Sequence, residues 1–288
     1  MTQQRSSKPF DSDKILQDIH RRNEEREAAR LYQIEFWPDQ VMGVPNELAR
    51  CSLFAAIKEP KHRKLFDNAP IAAQGDFQII YTGQQLDQGH IDIFEGIMHF
   101  ARRVQEGNRV RLTRYALLKL IGRETGKEQY DWLLHRFNHL TATSVSIIQG
   151  GKRLFWGSLL PRGAMDIETG DIVVEISRDL AKLFGRGFSR VEWQERREIG
   201  RHPLAQWLHL YYAGHVKPHA VSVEWLREHS GSNTAILKRF RESLRKALQK
   251  LQDVGAIEEW VIDPATDLVH VKRHSVPSPI KRLSQQTA

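Results

Sequence analysis

Residues 230–255 read SGSNTAILKRFRESLRKALQKLQDVG and predict a long amphipathic helix. The small polar residues Ser232, Asn233 and Thr234 are typical of a helix N-cap, because their side-chain oxygens accept hydrogen bonds from first-turn N–H groups. Gly255 is typical of the residue that closes a helix in a left-handed conformation. Five large apolar residues recur every three or four positions and therefore share one face: Leu237, Phe240, Leu244, Leu248 and Leu251.

The remaining faces of this helix carry cations with almost no acids between them. Glu242 is the single acid between Thr234 and Gln252. A solvated surface helix usually alternates both signs, because Glu–Lys pairs four residues apart contribute about 0.2–0.5 kcal/mol each. The pattern therefore favours contact with DNA or RNA, and a solvated charged face is the alternative.

The composition points in the same direction. The chain has 288 residues, which predicts two domains or one large one. Its formal net charge of +8 favours a polyanionic partner, with nucleic acid ahead of an anionic membrane. No apolar run approaches the roughly 20 residues that span a bilayer, and MTQQRSSKPFDSDK lacks the apolar core of a secretory signal. One cysteine, Cys51, excludes an intrachain disulfide and a cysteine-based metal cluster. We expect a reduced, cytoplasmic protein without contact to a membrane.

The middle of the chain predicts three helices followed by strands. Helices are expected over 84–107, over 114–122 with Thr113 as the cap, and over 127–140. Strand-like runs follow at 141–149, 152–160 and 171–177, and Gly150-Gly151 between the first two is a hairpin signal. This is the order of a winged helix-turn-helix, with the hairpin over 141–160 as the wing.

The same order recurs in the second half. Helices are predicted over 202–215 and 221–231, the opening stretch supplies the third over 232–253, and 256–273 reads as two strands around a Pro-Ala-Thr-Asp turn. The predicted fold class is α+β, mainly helical, with two tandem winged helix-turn-helix domains. The predicted organisation is a flexible polar segment (1–35), an extension with a short helix (36–76), two winged-helix domains (77–190 and 191–275) and a flexible tail (276–288).

The candidate motifs for catalysis or cofactor binding in the sequence are incomplete. GRETGK at 122–127 has three residues between its glycines and Glu128 after the lysine, whereas a phosphate loop needs four and a Ser or Thr. His135 and His139 lie four apart but lack a third metal ligand, and Tyr211-Tyr212 lies on an apolar helix face. We expect no catalytic residue, no metal and no cofactor.

The residues expected to touch DNA follow from the geometry of the motif. Its second helix enters the major groove, where Arg reads guanine and Asn reads adenine, while other cations hold phosphates. In the second half the predicted contacts are Ser232, Asn233, Thr234, Lys238, Arg239, Arg241, Arg245 and Lys246. In the first half they are Lys127, Gln129, His135, Arg136 and His139, with Lys152 and Arg153 on the wing. Lys272 and Arg273 follow the second wing and add backbone contacts.

Specific strings also resemble a known family. FWPDQVMGVPNELARCSLFAAI at 36–57, YTGQQLDQGHIDIFEGIMHFAR at 81–102 and the helix pair after Thr113 look like the TrfA-type plasmid replication initiators. The resemblance covers roughly residues 35 to 275. It implies two winged-helix domains that bind direct repeats, called iterons, in double-stranded DNA at a plasmid origin. It also implies melting of adjacent AT-rich DNA, contact with the resulting single-stranded DNA, and recruitment of the host initiator, replicative helicase and polymerase machinery. Monomers of the family bind iterons and dimers inhibit, which controls plasmid copy number.

A shorter string raises a separate hypothesis. Arg50-Cys51-Ser52-Leu53-Phe54 is similar to the Gln-Leu-Ser-Leu-Phe peptide with which bacterial proteins bind the DNA polymerase sliding clamp. Ser52, Leu53 and Phe54 match, and Arg50 stands in place of the glutamine. The alternative is that Leu53, Phe54 and Ile57 form a buried face.

The sequence therefore predicts a non-enzymatic plasmid replication initiator that binds iterons, assists origin melting and recruits host replication proteins. A transcriptional repressor of the same fold, which binds DNA without opening an origin, is the alternative. A nicking or integrase-type enzyme is a third class.

Overall fold

The computed structural model describes residues 37–58, 63–103, 108–166 and 168–274. The predicted segments 1–35 and 276–288 lie outside these residues. The helices of the described residues are α1 (Asn46–Ala49), α2 (Gln88–Ala101), α3 (Arg114–Leu120), α4 (Lys127–Thr141), α5 (Arg178–Phe184), α6 (Trp193–Ile199), α7 (Pro203–Ala213), α8 (Val223–His229) and α9 (Leu237–Asp253). None of these helices combines the length and the apolar composition needed to cross a bilayer.

Strands form a substantial part of the architecture beside the helices. They are β1 (Val41–Pro45), β2 (Phe54–Ala55), β3 (Leu65–Ile71), β4 (Phe77–Gln84), β5 (Leu86–Asp87), β6 (Arg109–Thr113), β7 (Ser144–Gln149), β8 (Lys152–Gly157), β9 (Arg162–Met165), β10 (Asp171–Glu175), β11 (Phe188–Glu192), β12 (Val221–Ser222), β13 (Glu259–Ile262) and β14 (Leu268–Lys272). The fold is α+β as predicted, but it is more evenly mixed than the mainly helical chain that the sequence suggested.

Two units of the structure share one order of elements. The first unit runs α2, β6, α3, α4, β9, β10, with β7 and β8 inserted between α4 and β9. The second runs α7, β12, α8, α9, β13, β14. Each unit closes on a three-stranded antiparallel sheet in which the last strand is central, in the order β6-β10-β9 and β12-β14-β13. The architectural repeat that the sequence predicted is therefore present, although the strands that complete the first unit are not the ones expected.

The same local device starts the second helix of each unit. The Thr113 hydroxyl oxygen accepts a hydrogen bond from the N–H of Ala116 (3.0 Å), as the sequence predicted. The Ser222 hydroxyl oxygen accepts one from the N–H of Trp225 (3.1 Å). A side-chain acceptor before the helix satisfies an N–H that has no partner inside the helix. Both helices consequently begin at a defined residue directly after a strand.

The hairpin predicted as the first wing lies in another sheet. Strands β7 and β8 pair with each other, and the turn at Gly150 and Gly151 has positive φ at both glycines, which confirms the hairpin. However, β7 also pairs with β4, so the hairpin completes a four-stranded sheet in the order β3-β4-β7-β8. The inner face of that sheet buries Ile79, Ile147 and Phe155 in the main core. The strands that close the first unit are β9 and β10, and the prediction of 141–160 as the wing is wrong.

The start of α9 also differs from the prediction. The helix begins at Leu237, after Ile236, and no side chain caps it. The Ser232 hydroxyl oxygen accepts instead from the N–H of Thr234 (3.2 Å) within the preceding loop. The Arg227 guanidinium donates to the carbonyl of Ala235 (2.6 Å), which fixes that loop against α8. The predicted end is confirmed, because Gly255 has φ of +78° just beyond the last turn.

Buried apolar side chains form two clusters that meet along residues 50–57. The larger cluster contains Leu53 and Phe54 of this segment, and the smaller one, built on α7 to β14, contains Ala56. Hydrogen bonds connect the segment and the adjoining Gln85 to the second unit: Ala56 N–H to the Ser230 carbonyl (2.7 Å), Trp207 Nε1–H to the Cys51 carbonyl (3.0 Å), Gln85 Nε2–H to the Gly231 carbonyl (3.2 Å), and Arg50 to the Gly214 carbonyl. We call residues 50–57 the joining segment.

A buried arginine adds a second connection between the units. The Arg196 guanidinium, on α6, donates to Asp92 Oδ1 (2.8 Å) and to the Gln88 side-chain oxygen (2.9 Å), both on α2. It also donates to the carbonyl of Gln206 on α7 (2.6 Å). Because one buried guanidinium bonds to the first helix of each unit, their relative placement is set by specific bonds in addition to apolar packing.

Glu95 lies on α2 with its side chain fully buried, and neither carboxyl oxygen has a hydrogen-bond partner among the described residues. Burial raises the pKa of this carboxyl well above its ordinary value of 4.5, and the charge of Asp92 adds to the effect. The group is therefore neutral in the folded chain at a pH where it ionises in the unfolded chain. Below pH 4.5 the carboxyl is neutral in both the folded and the unfolded chain, and the free energy of unfolding is highest. As pH rises from 4.5 toward the pKa of the folded chain, the free energy of unfolding falls, because only the unfolded chain loses the proton.

We expect Glu95→Gln to be more stable than the parent chain above pH 4.5, with a gap that widens as pH rises. Each unit of pKa elevation corresponds to about 1.4 kcal/mol. Urea unfolding of both proteins at pH 5 and pH 8 measures the gap. Glu124→Gln makes the same substitution at an exposed position between α3 and α4 and serves as the control. Equal changes in the free energy of unfolding of the two variants would contradict the assignment of Glu95 as a buried carboxyl with a raised pKa.

Candidate nucleic-acid interface

Helix α9 presents one apolar face to the core and its cations to solvent. Phe240, Leu244, Leu248 and Leu251 are 0% exposed. Four predicted contacts are exposed on the other side of the helix: Lys238, Arg239, Arg245 and Lys246. The sequence therefore predicted both the buried stripe and the charged surface correctly, and four cations are free to meet a polyanion.

Arg241 is placed differently from its neighbours. Its guanidinium donates two hydrogen bonds to Asp267, at 2.9 Å to Oδ1 and 2.8 Å to Oδ2. Those bonds lower the pKa of Asp267 and raise the pKa of Arg241. Asp267 lies in the β13–β14 turn with φ of +56°, and its carbonyl accepts from the N–H of Val223 at the start of α8. The pair thus connects α9, the hairpin and α8, and a base contact by Arg241 would require this pairing to be exchanged.

The loop before α9 forms one wall of a groove of about 730 Å³. Its lining includes the predicted contacts Ser232, Asn233 and Thr234, the cations Arg227 and Lys64, and the acids Glu224 and Glu228. Sequence reasoning missed Lys64 and Arg227, because Lys64 precedes the loop by more than 160 residues and Arg227 sits on a helix of mixed charge. The structure brings a cation from the first half of the chain to the entry of α9.

The two cations after the second hairpin have different surroundings. Lys272 is exposed and forms an ion pair with Glu258. Arg273 is partly buried and donates to the carbonyls of Ala213 (3.1 Å) and His215 (3.2 Å) at the end of α7. Burial lowers the pKa of Arg273. Lys272 is therefore available at the surface, whereas Arg273 holds the hairpin to α7.

In the first unit, helix α4 divides its predicted contacts between the surface and the interior. Lys127 and His135 are exposed, and the Gln129 side-chain oxygen accepts a hydrogen bond from Arg123 (2.9 Å). Arg136 is 8% exposed and His139 is partly buried. Of these five side chains, only Lys127 and His135 are exposed and form no hydrogen bond with another described residue.

Arg136 and His139 belong to a buried polar network centred on Asp87. Arg136 Nη1 donates to Asp87 Oδ2 (2.6 Å), and Arg63 pairs with the same carboxylate. A ring nitrogen of His90 lies 2.8 Å from Asp87 Oδ1, and the other lies 3.1 Å from His139 Nδ1. The network fixes α4 against the start of α2, where Asp87 is the N-cap. Two predicted DNA contacts are thus placed to support the position of α4.

The charges of this network follow from its burial. Burial alone raises the pKa of Asp87, but the hydrogen bond from His90 and the charges of His90, Arg136 and Arg63 together keep it well below its ordinary value. Burial lowers the pKa of His90 to about 4 and that of His139 to about 4. At neutral pH the network contains one carboxylate, two guanidinium groups and two neutral imidazoles.

Lys152 and Arg153 are exposed at the tip of the β7–β8 hairpin. The Arg153 guanidinium lies 5.3 Å from the ring centre of Trp156, which is 70% exposed. Because this hairpin belongs to the four-stranded sheet, these cations do not lie on the β9–β10 hairpin that closes the first unit. Their contact with DNA stays a prediction from the sequence.

The clamp-like string is in the interior. Leu53 is 2% exposed, Phe54 is 1% exposed, and the Phe54 ring lies 6.4 Å from that of Phe94. Ser52 is partly exposed between them and the surface. A peptide that binds a sliding clamp must insert its apolar side chains into the partner. The structure therefore favours the alternative interpretation, in which Leu53 and Phe54 are core residues.

Catalytic alternatives gain no support from the described residues. Tyr211 and Tyr212 are each 2% exposed, and burial raises the pKa of Tyr211 to about 12 and raises that of Tyr212 as well. Neither hydroxyl is accessible for attack on a phosphodiester. Among the described residues, no three His, Cys, Asp or Glu side chains come together as metal ligands.

Among solved structures, domains 2 and 3 of RctB match this chain with a TM-score of 0.52 at 13% identity, over 72% of this chain and 86% of that one. The Pi initiator protein in complex with iteron DNA matches with a TM-score of 0.47 at 13% identity, over 68% of this chain and 98% of that one. The likeness to RctB is one of fold alone.

Sequence comparison is more specific. Plasmid replication initiator protein TrfA of Escherichia coli is 27% identical over 255 residues, which are 84% of this chain. The aligned region spans 64% of the length of that relative. The family model of the TrfA protein matches residues 13–273, most of the chain. The chain therefore belongs to the TrfA family.

Proposed function

We propose that this protein is a plasmid replication initiator that binds iterons, repeated sequences in double-stranded DNA at a plasmid origin. The observation that carries the proposal is the position of α9. It is the third helix of a unit whose order is repeated in the chain, and it exposes four cations opposite its buried stripe. Membership of the TrfA family and the net charge of +8 support the same reading.

We further infer that both units are winged helix-turn-helix domains. In such a domain the second helix of the motif enters the major groove and the hairpin contacts the flanking backbone. The corresponding elements are α4 with β9–β10 in the first unit and α9 with β13–β14 in the second. On this interpretation Lys238, Arg239, Arg245 and Lys246 face the DNA, and Arg241 positions the second hairpin.

Later steps are proposed on the strength of the family resemblance. They are melting of an AT-rich tract, contact with the released single strand, recruitment of the host initiator and helicase, and a monomer–dimer equilibrium. The proposal is of a non-enzymatic protein that relies on host enzymes. Permanganate reactivity of thymines in a supercoiled plasmid would measure melting, and unchanged reactivity on addition of the protein would contradict that step.

Recovery of bound DNA tests the central proposal. The full chain is incubated with sheared fragments of the replicon that carries its gene, and bound fragments are sequenced. We expect one region that contains several direct repeats beside an AT-rich tract. A single palindrome upstream of a gene would contradict the proposal and favour a repressor, and uniform recovery would exclude sequence-specific binding.

A further inference from the structure

Glu242 occupies the centre of the exposed face of α9. At about 100° per residue, it points away from the stripe of Phe240, Leu244 and Leu248. Lys238 and Lys246 lie four residues to either side of it. If α9 enters the major groove as proposed above, this carboxylate lies on the helix face that meets the base edges.

The carboxylate is unpaired although cations surround it. Cations stand at positions three and four residues away in both directions, where helical ion pairs usually form. Glu242 is exposed and forms no ion pair or hydrogen bond with another described residue. An ion pair that stabilises the helix surface therefore does not explain why an acid stands at position 242.

A carboxylate at this position also opposes binding to the DNA backbone. It repels phosphates and subtracts one charge from a surface that otherwise carries cations, so it weakens sequence-independent affinity. A compensating interaction has to come from a hydrogen-bond donor. In the major groove, cytosine offers its N4 amino group, to which Glu and Asp are the matching acceptors. Guanine and thymine present acceptors at the corresponding edge and would repel the carboxylate. Adenine has an amino group as well, but its N7 acceptor lies beside it, where it would face the second carboxylate oxygen.

We propose that Glu242 is a specificity-determining residue that selects a cytosine within the binding site. This inference rests on the proposed function. The cations around Glu242 supply affinity by contacting phosphates or guanines, and Glu242 rejects sites without an amino group at one position. A site read by this helix then contains one C·G pair whose replacement is costly.

Selection from a randomised duplex library tests the inference with the full chain. Parent protein, Glu242→Ala, Glu242→Gln and the control Asp253→Asn are compared by sequencing of bound DNA. Glutamine pairs bidentately with adenine, so we expect Glu242→Gln to shift one position from cytosine toward adenine. Glu242→Ala should lose at least about fivefold discrimination there. Asp253 is exposed at the far end of α9, and its substitution removes the same charge. We expect Asp253→Asn to keep the profile.

Each outcome has a defined meaning. If the parent chain selects a sequence and both Glu242 variants select the same one, the inference is wrong while the proposed function stands. The inference would also be wrong if the Glu242 variants and Asp253→Asn all lost base preference at every position of the selected DNA, because that result would reflect net charge alone. A flat profile for the parent chain would remove the proposed function itself. Thermal unfolding of each variant confirms that the exposed substitutions leave the fold intact.

Discussion

Leu53→Ala combined with Phe54→Ala is expected to abolish stable folding of the chain. Replacement of a buried leucine by alanine costs about 2–5 kcal/mol, and of a buried phenylalanine about 3–5 kcal/mol. The sum is of the same order as the roughly 5–15 kcal/mol that stabilises a typical protein. Both residues also lie in the joining segment, so the cavity would open where the two units meet. Urea unfolding followed by tryptophan fluorescence measures the loss.

An exposed pair provides the matched control. Leu65 is 81% exposed and Tyr115 is 56% exposed, so Leu65→Ala with Tyr115→Ala removes similar side chains outside the core. Surface changes of this kind usually alter stability by less than about 0.5 kcal/mol each. If the Leu53/Phe54 variant retained the parental stability and lost binding to a sliding clamp, the clamp-peptide interpretation would replace the core interpretation.

The second large effect is expected from removal of the exposed cations of α9. Alanine at Lys238, Arg239, Arg245 and Lys246 keeps helix propensity high and leaves the buried stripe unchanged. Each phosphate contact contributes about 0.9 to the slope of log affinity against log salt. The slope should become shallower by roughly 3–4. If parent and variant bind DNA equally at 1 M salt, this change corresponds to an affinity loss on the order of 10³-fold at 0.15 M salt.

A control variant with the same change in net charge separates position from charge. Alanine at Lys58, Lys182, Arg201 and Lys217 removes four exposed cations outside α9. Fluorescence anisotropy with a labelled duplex, measured over a series of salt concentrations, gives the slope for all three proteins. Equal slopes for the two quadruple variants would contradict the assignment of α9 as the DNA-binding helix.

Local patterns in the sequence predicted some features of the helices correctly, although α5 and α6 were not predicted and α9 begins later than expected. The leucine spacing predicted the buried face of α9, and Thr113 predicted the start of α3, because both signals act within one or two turns. The hairpin that closes the first unit was misassigned because one of its two strands, β9, carries a weak signal, although a strand at the position of β10 was predicted. Strand β9 reads Arg-Gly-Ala-Met, which lacks the β-branched residues typical of strands, whereas Gly150-Gly151 is a strong hairpin signal.

The interior positions of Arg136 and His139 depend on partners distant in the chain. Asp87 precedes Arg136 by 49 residues, and nothing in the periodicity of α4 identifies that carboxylate. A partial signal was nevertheless present. Arg136 lies between Leu133 and Leu140 at helical spacing, which places it within the buried stripe. An arginine within an apolar stripe predicts a buried ion pair better than it predicts a surface contact.

The joining segment has a consequence for how the two units would act together on DNA under the proposed function. When units are connected by a flexible linker, the effective concentration of the second on DNA depends on linker length, and ordering the linker opposes binding. Here the Ala56 N–H donates to the Ser230 carbonyl, and the Cys51 carbonyl accepts from the Trp207 indole N–H. With the buried Arg196, these bonds connect the units directly. In the proposed complex the second unit is presented at one distance and one rotation from the first. The chain would then tolerate changes in the spacing within a repeat poorly, but it would lose less conformational entropy when it binds.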